Sequence, residues 1–217
     1  MSGPATPRVR PAPDRRPGDH GGSSVTRGRA PRAFVALLRG VNVGTAKRLP
    51  MAGLRELLSG LGFTGVATLL NSGNAVFHAG RGTAAQHAAH IRTAIAHRFD
   101  FDVPVVVVPQ ADWAAIVAAC PFETPAPEHS RLLVAFAQDG AALQELAAVA
   151  ALAAPAERFA VGRHAAYLHC PGGILGSRAA EALLGRFGKT VTTRNWATVL
   201  KLQALLGAAG GEGPQPR

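Results

Sequence analysis

"VATLLNSGNAVFHA", residues 66–79, decides the fold. Two short apolar runs flank Asn71, Ser72, Gly73 and Asn74, and Gly73 supplies the positive φ that a tight turn needs. The stretch reads as a hairpin, with strands at 66–70 and 75–78. Helices are predicted on both sides of it. Residues 51–61 place Met51, Leu54, Leu57, Leu58 and Leu61 on one stripe, and residues 83–99 place Ile91 and Ile95 on one face. Beyond the helices lie an apolar strand at 33–38 and a valine-rich strand at 103–108, which Pro104 puts near a sheet edge. The order is β-α-β-β-α-β, the split βαβ of a ferredoxin-like plait.

A connecting helix and a proline-rich linker follow, and then the order recurs. Residues 132–137 read as a strand, 141–152 as a helix, and 157–161 with 165–169 as a hairpin about Gly162. A helix at 177–187, a short strand at 190–192 and a last helix from about Arg194 to Leu206 complete it. The predicted class is α+β: two tandem ferredoxin-like (βαββαβ) plaits with a C-terminal helix. The boundaries are a disordered basic tail at 1–32, a first plait at 33–109, a connector at 110–130, a second plait with its helix at 131–207, and a tail at 208–217. The repeat is topological and not one of sequence.

The first segment is proline, glycine and arginine with almost no large apolar residue, so it cannot offset the entropy of ordering. The plainer accounts of it are an inert tail or a start codon at Val25. The formal net charge is +10, carried mainly by arginine. Such a balance favours an anionic partner, and a high alanine, glycine and proline content offers a compositional origin instead. Cys120 and Cys170 are far apart and lack metal spacing, which reads as two reduced thiols in a cytoplasmic protein. The valine run at 105–108 is far too short to span a membrane.

In a split βαβ plait the ends of the first two strands point to one edge. The loop "RGVNVGTAK" at 39–47 and the "NSGN" turn are therefore expected side by side, with Arg39, Asn42, Gly44, Lys47, Asn71, Ser72 and Asn74 on one rim. Glycines let backbone amides approach a ligand, the helix near Pro50 opens with free N–H groups, and arginine and lysine supply charge. The plainer alternative is two turns shaped by glycine and asparagine, with solvated cations. In the second half Ser177, Arg178, Thr193, Arg194, Asn195 and Trp196 are expected to cluster, with Thr193 capping the last helix. The competing reading there is capping plus a Trp196 packed in the core.

Three motifs fail. "FGKT" at 187–190 lacks the earlier glycine of a P-loop and follows a helix. His87, His90 and His97 share one helix without a further ligand in sequence, so no metal site is assigned. The third strand, "NAVFHA", lacks the aromatic signature of the RNA-recognition module. No nucleophile elbow, acid pair or triad spacing appears, so neither a reaction nor a cofactor is assigned.

"ALLRGVNVGTAKRLPMAGLRELLSGLGF", "LLNSGNAVF" and "TTRNWATVLKL" resemble, in the same order, the bacterial family called domain of unknown function 1697, DUF1697. The resemblance covers 34–206. It implies an α+β fold with duplicated ferredoxin-like halves and little about function. Its motifs correspond here to Arg39, Gly40, Asn42, Gly44, Lys47 and Met51, then Ser72, Gly73 and Asn74, then Thr193, Arg194, Asn195, Trp196 and Thr198. Two departures stand out. Asn71 occupies a position that usually holds glutamine, and Ser177-Arg178 stands in place of serine-lysine, which weakens any covalent role for a lysine amine there.

The favoured reading is binding of a small phosphorylated or nucleotide-like anion at polar loops, with Arg39 and Lys47 as charged donors. Nucleic-acid binding through the basic tail and face, and a non-catalytic interaction or structural role, stand beside it. One tyrosine and two tryptophans leave few stacking platforms for bases.

Overall fold

The computed structural model describes residues 3, 31–44, 47–185, 187 and 190–209. The tail expected at 1–32 falls almost wholly outside these residues, and so does 210–217. The chain is α+β, with two four-stranded antiparallel sheets. The first has the order β2-β3-β1-β4, from β1 (Arg32–Leu38), β2 (Thr64–Leu69), β3 (Asn74–Ala79) and β4 (Val105–Pro109). The second has the order β6-β7-β5-β8, from β5 (Leu132–Ala137), β6 (Arg158–Val161), β7 (Ala166–His169) and β8 (Val191–Asn195).

Strand alternation builds three layers of core. In β1, Phe34, Ala36 and Leu38 face outward to α1 (Met51–Gly60) and α2 (Ala84–Phe99). Ala33, Val35 and Leu37 face inward. In β5, Leu133 and Ala135 face outward to α4 (Gly140–Glu145) and α5 (Arg178–Leu184), whereas Leu132, Val134 and Phe136 face inward. The inward faces share one central core with α3 (Gln110–Ala118) and α6 (Trp196–Ala209). Trp113 of α3 stacks on Phe136 at 4.9 Å, and Tyr167 donates to the Ile116 carbonyl at 2.7 Å. Each large side chain buried this way contributes about 1.5–3 kcal/mol relative to exposure.

Local chemistry sets the helix ends. Thr83 and Gln86 form a capping box on α2, and Asp100 closes that helix in a left-handed conformation, φ 57°. Asp139 and Ser177 cap α4 and α5. By contrast, α1 starts at Pro50 with no side-chain cap and no acidic residue in its first turn.

Four expectations need correction. The helix expected at 141–152 turns into a 3₁₀ helix over Leu146–Leu152. Its buried residues, Leu146 and Val149, with half-buried Leu152, recur every third position, which suits three residues per turn. The helix expected at 177–187 is only Arg178–Leu184, ended at Gly185. The last strand runs through Asn195, so α6 begins at Trp196. Its cap is Asn195, whose Oδ1 accepts from the Thr198 amide at 3.0 Å, and not Thr193. The final helix also continues past 207, to Ala209.

Candidate functional site

The rim forms where β1 and β2 end. Asn74, the first residue of β3, pairs with Leu37 on one side and Leu69 on the other. This brings the loop after β1 against the turn after β2. The Leu38 amide donates to the Gly73 carbonyl at 2.8 Å, and Asn42 Nδ2 donates to the Asn71 carbonyl at 2.7 Å. Gly73 has φ 76°, and a Cβ there would lie 2.6 Å from Leu38 Cβ, so no other residue fits without movement.

Asn42 organises the first loop. Its Nδ2 donates to the Leu49 carbonyl at 2.9 Å and its Oδ1 accepts from the Leu49 amide at 2.8 Å. Its own amide donates to the Lys47 carbonyl at 3.1 Å. Asn42, Lys47 and Leu70 all adopt left-handed φ between 53° and 57°, so three strained non-glycine residues lie on this rim.

A cleft of about 380 Å³ opens beside the rim, lined by Asn42, Gly44, Arg48, Asn71 and residues 49–51 at the start of α1. The first-turn amides of that helix have no intrahelical acceptor, and the helix dipole favours negative charge there. Arg48 is exposed on the cleft wall. Val43 and Leu70, 72% and 53% exposed, project on the same rim.

The cations of the sequence reading are engaged elsewhere. Arg39 reaches the second half, where its guanidinium donates to the Val191 carbonyl at 2.8 Å and to the Leu184 carbonyl. Burial lowers its pKa. Lys47 Nζ donates to the Asp102 carbonyl at 2.8 Å. Ser72 Oγ accepts from Asn74 Nδ2 at 3.0 Å, and Asn74 is wholly buried.

Arg194 comes to the same rim from the second sheet. Its side chain leaves the inner face of β8 and is 9% exposed. Its Nε donates to Asn74 Oδ1, and one terminal nitrogen donates to the carbonyls of Leu38 at 2.7 Å and Ser72 at 3.2 Å. The other serves Thr192 Oγ1 at 2.9 Å and the Thr193 carbonyl at 2.7 Å. Burial, reinforced by the nearby Arg39 charge, brings its pKa down to about 10.

The expected second cluster is divided. Ser177 lies beyond the outer face of the second sheet, where it caps α5 and accepts from the Cys170 thiol at 3.6 Å. Arg178 is exposed on that helix beside Glu181. Arg194 and Trp196 belong to the inner face, and Trp196 is buried in the central core. Strand alternation explains the division, because α5 packs outside the sheet to which β8 contributes its inner residues. Arg48 was passed over in sequence because nothing marks it as belonging to a cleft. The free N–H groups expected at the helix near Pro50 lie just downstream of it.

Among the described residues no group of three or more His, Cys, Asp and Glu side chains could hold a metal ion. His87 points into the outer core of the first half against Phe34, Phe63 and Phe77, while His97 is exposed. Both cysteines are free thiols, and burial pushes both up. No helix among the described residues is long and apolar enough to cross a membrane.

No curated protein matches this sequence. Among solved structures the chain is similar to the conserved bacterial protein SP0830 from Streptococcus pneumoniae. The TM-score is 0.67 and the identity 26%, over 82% of this chain and 99% of that one. A family model described as "Protein of unknown function (DUF1697)" matches residues 32–167, a stretch that holds both rim loops and the start of α1. The chain belongs to the DUF1697 family.

Proposed function

We propose that the protein binds a small phosphorylated or nucleotide-like anion in the cleft at the start of α1. The observation that carries this reading is the pairing of an uncapped helix N-terminus with an exposed arginine across one cleft. An anionic group fits the first-turn amides and Arg48, with Gly44 and Asn71 also lining the cleft. Val43 and Leu70 offer apolar surface to a base or similar portion of the ligand. Of the residues singled out in sequence, Asn42, Gly44, Met51 and Asn71 line the cleft. Lys47 ties its loop to residue 102.

The sheet orders support reading each half as a ferredoxin-like plait, at 33–109 and 131–207, joined by 110–130. Two free thiols support a cytoplasmic location. The test is thermal unfolding with inorganic phosphate, pyrophosphate and a panel of nucleoside monophosphates, on the natural chain and on Arg48→Ala. A ligand-dependent rise in Tm that shrinks in Arg48→Ala supports the reading. No rise with any of them overturns it.

A further inference from the structure

We propose that Arg194 couples the rim loops to the interface between the two sheets, so that loosening either loosens the other. Its donors are divided between the halves. Nε and one terminal nitrogen serve Asn74, Leu38 and Ser72 of the first half, while the other terminal nitrogen serves Thr192 and Thr193 of the second. Arg39 makes the reverse crossing, from the rim to Val191 and Leu184.

A buried guanidinium tolerates no halfway arrangement. If the sheets part, its N–H groups lose acceptors where water does not replace them, and the cost of an unpaired buried charge is large. The contact is therefore made or broken as a unit. From Arg194 the path runs on through polar contacts already described. The Gly73 carbonyl accepts from the Leu38 amide, and the Ser72 and Gly73 carbonyls both accept from Arg194. Asn42 ties Asn71 to Leu49, the residue just before the Pro50 cap of α1. The wall of the cleft is thus linked through hydrogen bonds to β8 of the other sheet. Such a coupling is reciprocal. It stands on the geometry of the interface and does not require a particular ligand.

Hydrogen–deuterium exchange by mass spectrometry on the full chain, without ligand, tests it. Arg194→Lys keeps the charge and loses the planar fork. Exchange in segments 38–44 and 70–76 should then rise about tenfold or more, the equilibrium equivalent of one charge-assisted hydrogen bond, with the middle of α2 unchanged. Asn42→Ala cuts the path at its far end and leaves Arg194 untouched. It should raise exchange at 191–196 as well as in its own loop. A rise confined to 191–196 in Arg194→Lys, or no change at 191–196 in Asn42→Ala, overturns the proposal. A uniform rise along the whole chain overturns it too, since that is ordinary loss of global stability. Should Arg194→Lys fail to fold, the Asn42→Ala result decides alone.

Discussion

Arg194 Nε donates to Asn74 Oδ1, a contact between residues 120 positions apart that joins the inner faces of two sheets. The acceptors around this guanidinium are carbonyl, amide and hydroxyl oxygens. The charge is therefore distributed over neutral dipoles rather than cancelled by a carboxylate. Such an arrangement survives only if each acceptor stays in place.

Asn74→Ala is accordingly expected to be costly. It removes the Nε acceptor and the two bonds from Asn74 Nδ2, to the Leu69 carbonyl and to Ser72 Oγ, both at 3.0 Å. Leaving one buried donor unsatisfied costs about 1–3 kcal/mol, and more for a charged group. The urea midpoint should fall by an amount in or above that range with the m-value unchanged. A midpoint within error of the natural chain would mean that water replaces the lost acceptor.

The rim glycines should differ sharply from one another. At Gly73 a methyl group meets Leu38 Cβ at 2.6 Å and Val41 Cγ2 at 2.7 Å, on a backbone already at φ 76°. At Gly44, φ 64°, a Cβ enters open space. Gly44→Ala thus carries backbone strain alone, about 1–2 kcal/mol. Gly73→Ala adds overpacking of about 1–3 kcal/mol. Parallel thermal melts should rank Gly73→Ala well below Gly44→Ala, and equal losses would contradict the close packing of the turn.

Both halves of this rim were legible in the sequence, because hairpin and helix periodicity fix which strand ends share an edge. The loop of Asn42 and the turn before Asn74 meet as the topology implies, whereas Arg39 reaches across to the second half. The role of Arg194 was not legible. Period-two alternation tells which face of β8 it occupies only once the strand is known to run to Asn195, and the expected strand stopped at Thr192. Nor does a sequence show that the inner faces of the two sheets share one core with α3 and α6. That contact depends on how α3 and α6 fill the central layer, and it is what turns Arg194 from a loop cation into a buried bridge. Arg48 eluded the reading for a related reason, since it gains its place from the fold of the loop around Asn42.

Acid should weaken the fold through His87. The ring is 6% exposed among aromatic side chains, and its Nε2 has no hydrogen-bond partner among the described residues. Burial, then the charges of Arg32 and His90, lowers its pKa below the ordinary 6.5. The folded state therefore binds this proton less readily than the unfolded chain. The associated stability is complete above pH 6.5 and is lost as pH falls through the lowered folded value. Tm measured from pH 7.5 to 4.5 should drop through this window, and the drop should be shallower in His87→Leu. An identical pH profile in the variant would assign the acid sensitivity to other groups.

Arg39 and Arg48 separate a structural cation from a binding one. Arg39 is half-buried and donates to two carbonyls of the second half, so Arg39→Ala removes two hydrogen bonds from a charged donor. A hydrogen bond to a charged group contributes about 1.5–3 kcal/mol, and partial exposure puts the loss toward the lower end. The unliganded Tm should fall by several degrees, and this holds whatever the ligand is. Arg48 is exposed, and truncating it should change stability by no more than about 0.5 kcal/mol. Its effect should appear only with anion present, as a weaker pyrophosphate-dependent rise in Tm and a flatter dependence of binding on salt. The two variants thus make opposite predictions in the same pair of measurements. If Arg39→Ala left the free protein unchanged while abolishing the pyrophosphate effect, Arg39 would be the ligand's own partner. The cleft at α1 would then give way to a site at the Arg39 guanidinium.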